Sequence, residues 1–180
     1  MKKVIVFLAD GSEEIEALTP VDMLRRAGAE VTFAGAGKKE CTCSHGITVV
    51  TDKTAGECLG EEYDMVVLPG GMPGTLNLAK DADVEKITKK AFAAGKFVAA
   101  ICAAPSVLGA WGMLCGKRAT CYPGFEEKLV GAVKAEEKSV RDGNVITACG
   151  AGAAMEFALM LVSALYGAEA SENLRKAVLA

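Results

Sequence analysis

Short, unbroken apolar runs alternate with helix-period segments along the whole chain, and nothing else in the sequence constrains the fold as strongly. Val4-Ile5-Val6-Phe7-Leu8, Met65-Val66-Val67-Leu68 and Phe97-Val98-Ala99-Ala100-Ile101 have no polar member. Such runs are expected of strands covered on both faces. Val31 to Ala34, Arg118 to Tyr122 and Asn144 to Ala148 predict further strands, and Cys41 to Thr51 a small hairpin turning near His45-Gly46. Between them, Glu14 to Ala27 predicts a helix with Ile15, Leu18, Val21 and Leu24 on one stripe, Gly28 as its stop and a kink at Pro20. Val84 to Ala94, Ala104 to Trp111, Gly152 to Tyr166 and Ser171 to Leu179 predict the remaining helices. Strands alternating with helices build βαβ units and a mostly parallel sheet. The expected architecture is therefore α/β: a flavodoxin-like, doubly wound sheet flanked by helices. With 180 residues and no linker or repeat, one domain spanning 1–180 is expected.

Composition narrows the function classes. Hydrophobic residues make up 51% and charged residues 24%, which excludes disorder. The net charge of −3 and the lack of a Lys/Arg run give no nucleic-acid or anionic-membrane signature. No apolar run reaches the roughly 18 residues of a membrane span. Met1-Lys2-Lys3 with the short apolar stretch after it faintly resembles a signal peptide, but the polar segment Asp10 to Glu14 follows where a cleavage site belongs. Seven cysteines, an odd number with no C-x-x-C spacing and a single histidine, fit neither a zinc ribbon nor a disulfide scaffold. They are expected to be free thiols in a reducing cytoplasm, with no metal and no cofactor.

In doubly wound sheets, sites gather at the carboxyl ends of the strands. Cys102 lies there, between a buried strand and a helix, with Ala100, Ala103 and Ala104 around it. That is the form of a nucleophile elbow, a tight turn that exposes one side chain and crowds out bulky neighbours. A following helix N-terminus is expected to favour the thiolate and lower the thiol pKa. Glu16, in the first turn of the helix after the first strand, is the candidate partner. Desolvated against the elbow, its carboxyl would keep its proton and donate a hydrogen bond to sulfur. Glu13 and Glu14 read more simply as first-turn acids favoured by the helix dipole.

Pro69-Gly70-Gly71 ends the run Met65-Val66-Val67-Leu68, where glycine backbone can present N–H groups to an anion or serve only as a tight turn. Gly150-Ala151-Gly152 starts a G-x-G pattern whose last position is Met155, and the first strand-to-helix loop lacks the Gly-rich fingerprint, so a dinucleotide site is not expected. His45 reads as a surface residue on the hairpin.

These segments together resemble the ThiJ/PfpI superfamily, and within it the DJ-one-like branch. The resemblance is carried by Ala9-Asp10-Gly11-Ser12-Glu13-Glu14-Ile15-Glu16, Pro20-Val21-Asp22, Arg25-Arg26-Ala27-Gly28, Tyr63 to Gly71, Ala99 to Pro105, and Cys149-Gly150-Ala151-Gly152 with Glu156-Phe157-Ala158-Leu159. It implies a class I glutamine amidotransferase-like sandwich, a homodimer, and a site near the subunit interface. It further implies that Cys102 is the nucleophilic, oxidisable cysteine, that Glu16 is the protonated glutamate, and that the backbone amides of Gly70, Gly71 and Ala103 surround the pocket. Three departures stand out. Ala103 occupies the position where the protease-like branch has a histidine, which argues against a cysteine peptidase. Tyr122, in Cys121-Tyr122-Pro123, occupies the position of a common family histidine, and a phenol is a poor base at neutral pH. Cys149 also stands where relatives often carry a basic residue.

Two functions follow as expectations. In one, Cys102 attacks a small aldehyde or glycated substrate, giving glutathione-independent glyoxalase or deglycase chemistry. In the other, Cys102 is oxidised to a sulfinate in an oxidative-stress sensor or chaperone. Cys121 and Cys149, also near strand ends, are candidates to resolve a Cys102 sulfenate or to share a soft metal with it.

Overall fold

The computed structural model describes residues 1–180. Its centre is a seven-stranded sheet built from β1 (Lys3–Leu8), β2 (Glu30–Gly35), β5 (Lys53–Thr54), β6 (Met65–Leu68), β7 (Phe97–Ile101), β10 (Ser139–Asp142) and β11 (Val145–Ala148). The strand order is β10-β11-β7-β6-β1-β2-β5. All neighbours are parallel except β10, which pairs antiparallel with β11 at the edge. The three unbroken apolar runs are the central strands β1, β6 and β7. Every residue of β6 is buried, because helices cover both faces.

Alternate residues of each strand serve opposite faces. Ile5, Phe7, Val66, Leu68, Val98 and Ala100 pack with Leu78, Val84, Ile87 and Leu108. These come from α2 (Gly74–Lys80), α3 (Ala82–Ala93) and α4 (Pro105–Ala110). Val4, Val6, Leu8, Met65, Val67, Ala99 and Ile101 pack on the other face with Ala17, Val21, Leu24, Phe157, Leu161 and Val162. Those belong to α1 (Glu14–Arg26) and α5 (Ala154–Tyr166), against which α6 (Ala168–Ala177) rests. The chain leaves β1 toward β2, then returns to the other side of β1 as β6 and continues outward through β7 to β11. The reversal between β1 and β6 is the topological switch point, the place in such sheets where sites form beyond the carboxyl ends of the strands.

Several elements differ from the sequence expectation. The hairpin forms from β3 (Glu40–Thr42) and β4 (Thr48–Val50) as expected. The strand expected over Arg118 to Tyr122 is only β8 (Arg118–Ala119), which pairs with β9 (Val133–Lys134) outside the main sheet. Thr120 instead donates its N–H to the Thr147 hydroxyl at 3.0 Å, so the segment ends as a loop that delivers residues 121–123 to the sheet edge. Helix α2 is not expected from the sequence, because the glycines and prolines of residues 69–74 mask its start. The last helix starts three residues earlier than its apolar pattern, at Ala168. No helix is long and apolar enough to cross a membrane.

Candidate active site

Three loops meet above the switch point. Two glycine-dependent contacts bring the loop after β6 onto the loop after β1. A Cβ on Gly71, whose φ is +86°, would lie 2.3 Å from the Glu13 nitrogen, and one on Gly74 would lie 2.3 Å from the Ser12 nitrogen. Glycine alone allows this approach. The Glu13 N–H donates to the Gly70 carbonyl at 3.0 Å, which locks the start of α1 onto the β6 loop.

The third loop carries Cys102. Its backbone has φ +65°, a left-handed conformation that costs a non-glycine residue roughly 1–2 kcal/mol. The strain is held from both sides. The Cys102 N–H donates to the Ala148 carbonyl of β11 at 2.9 Å, and its own carbonyl accepts from the Tyr122 N–H at 2.8 Å. The side chain is half-buried, so the sulfur is reachable. The elbow expected from the small residues around Cys102 is thus present.

Glu16 points at that elbow from the first turn of α1. It is 1% exposed. Its Oε2 accepts the Gly70 N–H at 2.9 Å. A Cβ on Gly70 would lie 2.6 Å from both Cys102 Cβ and Glu16 Oε2, so the two residues are divided by the width of one absent side chain. The Gly70 amide is therefore committed to Glu16. The Gly71 and Ala103 amides are the backbone groups that act on the Cys102 thiol, each favouring its ionised form.

The electrostatics of this pair correct one expectation. The thiol is not lowered: burial, then the Glu16 charge, push Cys102 up to about 12. The amides of Gly71 and Ala103 oppose this without overcoming it. The helix behind the elbow is short, six residues from Pro105, and starts three positions past the sulfur, so its dipole contributes little. The protonated-acid expectation fares differently. Burial pushes Glu16 up to about 7 against the hydrogen bonds of Cys102 and Gly70, while the charge of Glu13 adds to the rise. Near neutral pH the pair holds its proton in balance between acid and carboxylate.

The remaining predicted residues lie around this centre. Tyr122 is 51% exposed, and its ring covers Gly150, where a Cβ would meet Cδ2 at 3.4 Å. Cys121 is buried, and burial followed by the Glu126 charge pushes its thiol up to about 11. Cys149 is half-buried and close enough to Cys121 for its charge to act on that thiol. All seven cysteines are unpaired. His45 does not approach Cys102; it sits on the hairpin against Glu13 and Glu14.

A strained cysteine elbow facing a buried glutamate, on a parallel core wound outward from β1 in both directions, defines a flavodoxin-like protein with a cysteine–acid pair at its switch point. Comparison with known proteins narrows this. Residues 2–164 match the model of the DJ-1/PfpI family, and the chain belongs to that family. It is 42% identical over 174 residues to Protein DJ-1 homolog B of Arabidopsis thaliana, a match covering 93% of this chain and 39% of that protein. The chain thus spans well under half the length of that plant relative. It is 33% identical over 174 residues to the glutathione-independent glyoxalase DJR-1.2 of Caenorhabditis elegans, covering 96% of this chain and 92% of that one. The structure of oxidised Toxoplasma gondii DJ-1 superposes with a TM-score of 0.96 at 37% identity, covering 99% of this chain and 98% of that chain.

Proposed function

We propose that the protein acts on small reactive aldehydes through a hemithioacetal on Cys102, as a glutathione-independent glyoxalase, with glycated groups as a related substrate class. The observation that carries this reading is the adjacency of a reachable thiol and a buried acid with a pKa of about 7. The nematode relative named as a glyoxalase supports it.

The chemistry follows from the pair. As sulfur attacks the aldehyde carbon of methylglyoxal, the Glu16 carboxylate takes the thiol proton, so a free thiolate is not required beforehand. The Gly71 and Ala103 amides hold the developing oxyanion, and Glu16 returns the proton to it. Glu16 then takes the proton from the first carbon and returns it to the second, while the hydroxyl proton on the first carbon passes to the oxygen of the second, leaving a lactoyl thioester. Water hydrolyses the thioester to lactate and restores the thiol. Gly70 keeps Glu16 aimed, and Cys121, Tyr122 and Cys149 form the outer wall of the pocket. Glu16 is the one proton carrier beside the sulfur, since Tyr122 stands in the position of the family histidine. Purified protein is expected to form lactate from methylglyoxal, with the activity lost in Cys102→Ala. Equal rates in the two proteins end this reading.

A second reading rests on the converging amides. Two N–H donors and a protonated Glu16 around one sulfur also stabilise a sulfinate, the product of peroxide oxidation. Peptide mass spectrometry after mild peroxide is expected to find sulfinate at Cys102 ahead of the other six cysteines; uniform oxidation counts against it. Further proposals are a single domain over residues 1–180, a cytoplasmic setting, supported by seven unpaired thiols, and a homodimer. The homodimer is supported by Ile15 and Leu18 of α1 and Ile47 and Val50 of the hairpin, all exposed. Light scattering tests the dimer directly.

A further inference from the structure

We propose that Glu13, Glu14, Ser44 and His45 form a binding site for a divalent first-row transition metal ion, with zinc as the probe. The start of α1 supplies the two carboxylates and the β3–β4 hairpin supplies the hydroxyl and the imidazole. The four donor atoms are Glu13 Oε2, Glu14 Oε2, Ser44 Oγ and His45 Nδ1. Ser44 Oγ lies 3.0 Å from Glu13, 3.1 Å from Glu14 and 3.1 Å from the imidazole. His45 Nδ1 lies 3.2 Å from Glu13 and 3.1 Å from Glu14. The carboxylate and imidazole donors all fall within 4.8 Å of one another. Five of the six edges of a tetrahedron are thereby near 3.1 Å, and the sixth, between the two carboxylates, is within 4.8 Å; a point equidistant from such corners lies roughly 1.9–2.5 Å from each, a range that includes the Zn–N and Zn–O bond lengths of about 2.0–2.2 Å.

Hydrogen counting gives the same answer. Five close contacts are served by at most two hydrogens, one on the Ser44 hydroxyl and one on Nδ1. A cation at the centre satisfies all four lone pairs at once. The donor set mixes imidazole with carboxylate, which suits zinc, manganese or nickel better than a soft thiolate-seeking ion. Glu14 is 6% exposed and already oriented, its Oε1 accepting the His45 N–H at 3.2 Å, so little is lost in ordering the site. The His45 side chain is 71% exposed, which leaves an entry path and room for a bound water. The positive end of α1 opposes a cation by about half a unit charge, against two full carboxylates. A bound ion would pin the hairpin to the first turn of the helix that carries Glu16. Neither part of the chain discloses this: the hairpin acquires its partners only through tertiary packing.

His45 is the only histidine, so its imidazole nitrogens give a single-site readout that the seven thiols cannot confuse. The experiment is 15N-detected NMR of the reduced full chain during titration with zinc chloride. One equivalent is expected to shift Nδ1 and leave Nε2 protonated. Loss of one carboxylate in Glu14→Gln is expected to weaken binding by ~10-fold or more, and His45→Asn, a surface change that leaves folding intact, to abolish the site in calorimetry. Cys102→Ser is expected to leave the shift unchanged. The proposal is overturned by unmoved imidazole signals while zinc binds elsewhere, by a shift at Nε2, or by an unaltered affinity in Glu14→Gln, which would mean a lone surface imidazole. None of these outcomes bears on the aldehyde chemistry at Cys102.

Discussion

Replacing Glu16 by glutamine should remove a large pH dependence of folding stability. Unfolded, the Glu16 carboxyl titrates near its ordinary 4.5; folded, burial holds it at about 7. Because the folded value is the higher one, the group favours the native state fully below pH 4.5, and that contribution is lost as pH rises through 7. A rise from 4.5 to about 7, at about 1.4 kcal/mol per pKa unit, amounts to about 3 kcal/mol. Glu16 is nearly sealed from solvent, so screening takes little from this figure. A glutamine side chain cannot ionise, yet its carbonyl can still accept the Gly70 N–H and its volume is nearly the same. The assay is urea unfolding of wild type and Glu16→Gln between about pH 4.5 and 8.5, a window below the Cys102 titration. Subtracting one curve from the other cancels every titrating group the substitution leaves undisturbed. Wild type is expected to lose about 3 kcal/mol relative to Glu16→Gln across the window, most of it below about pH 7.5. Parallel curves would show that Glu16 is ionised at no cost, and the buried-acid basis of the proposed mechanism would be refuted.

Two other perturbations probe the same centre. Gly70→Ala forces a methyl to 2.6 Å from Cys102 Cβ and Glu16 Oε2, and calorimetric melting should show a loss of about 1–3 kcal/mol along with failure of Cys102 chemistry. Removing the Glu16 charge takes away a main cause of the raised thiol pKa, so iodoacetamide should label Cys102 about tenfold faster in Glu16→Gln than in wild type at about pH 8.5, read by peptide mass spectrometry; slower labelling contradicts the assignment.

The sheet was legible because its central strands are covered on both faces, and full coverage leaves an unmistakable apolar run in Val4 to Leu8, Met65 to Leu68 and Phe97 to Ile101. Edge elements were less so. Strand β10 carries Arg141 and Asp142 and pairs on one side only, so its sequence looks like a loop. Helix α2 hides behind glycines that serve contacts with Gly11 and Ser12 rather than chain flexibility. At the site, the position of Cys102 follows from strand-end topology and the small residues beside it. Its protonation does not follow, because the deciding influences are desolvation and the carboxylate of Glu16, far back along the chain. The same limit concealed the grouping of His45 with Glu13 and Glu14, since the hairpin and the start of α1 meet only once the hairpin folds over the helix.

The elbow residue is anchored through its own main chain, one hydrogen bond to Ala148 and one from Tyr122, with no neighbouring side chain involved in either. Side-chain substitutions at 121, 122 and 149, the proposed walls around the sulfur, are therefore expected to leave both main-chain anchors in place. A lineage can retune which molecules are admitted by ordinary point changes in these loops, and its reactive centre stays fixed as the specificity drifts.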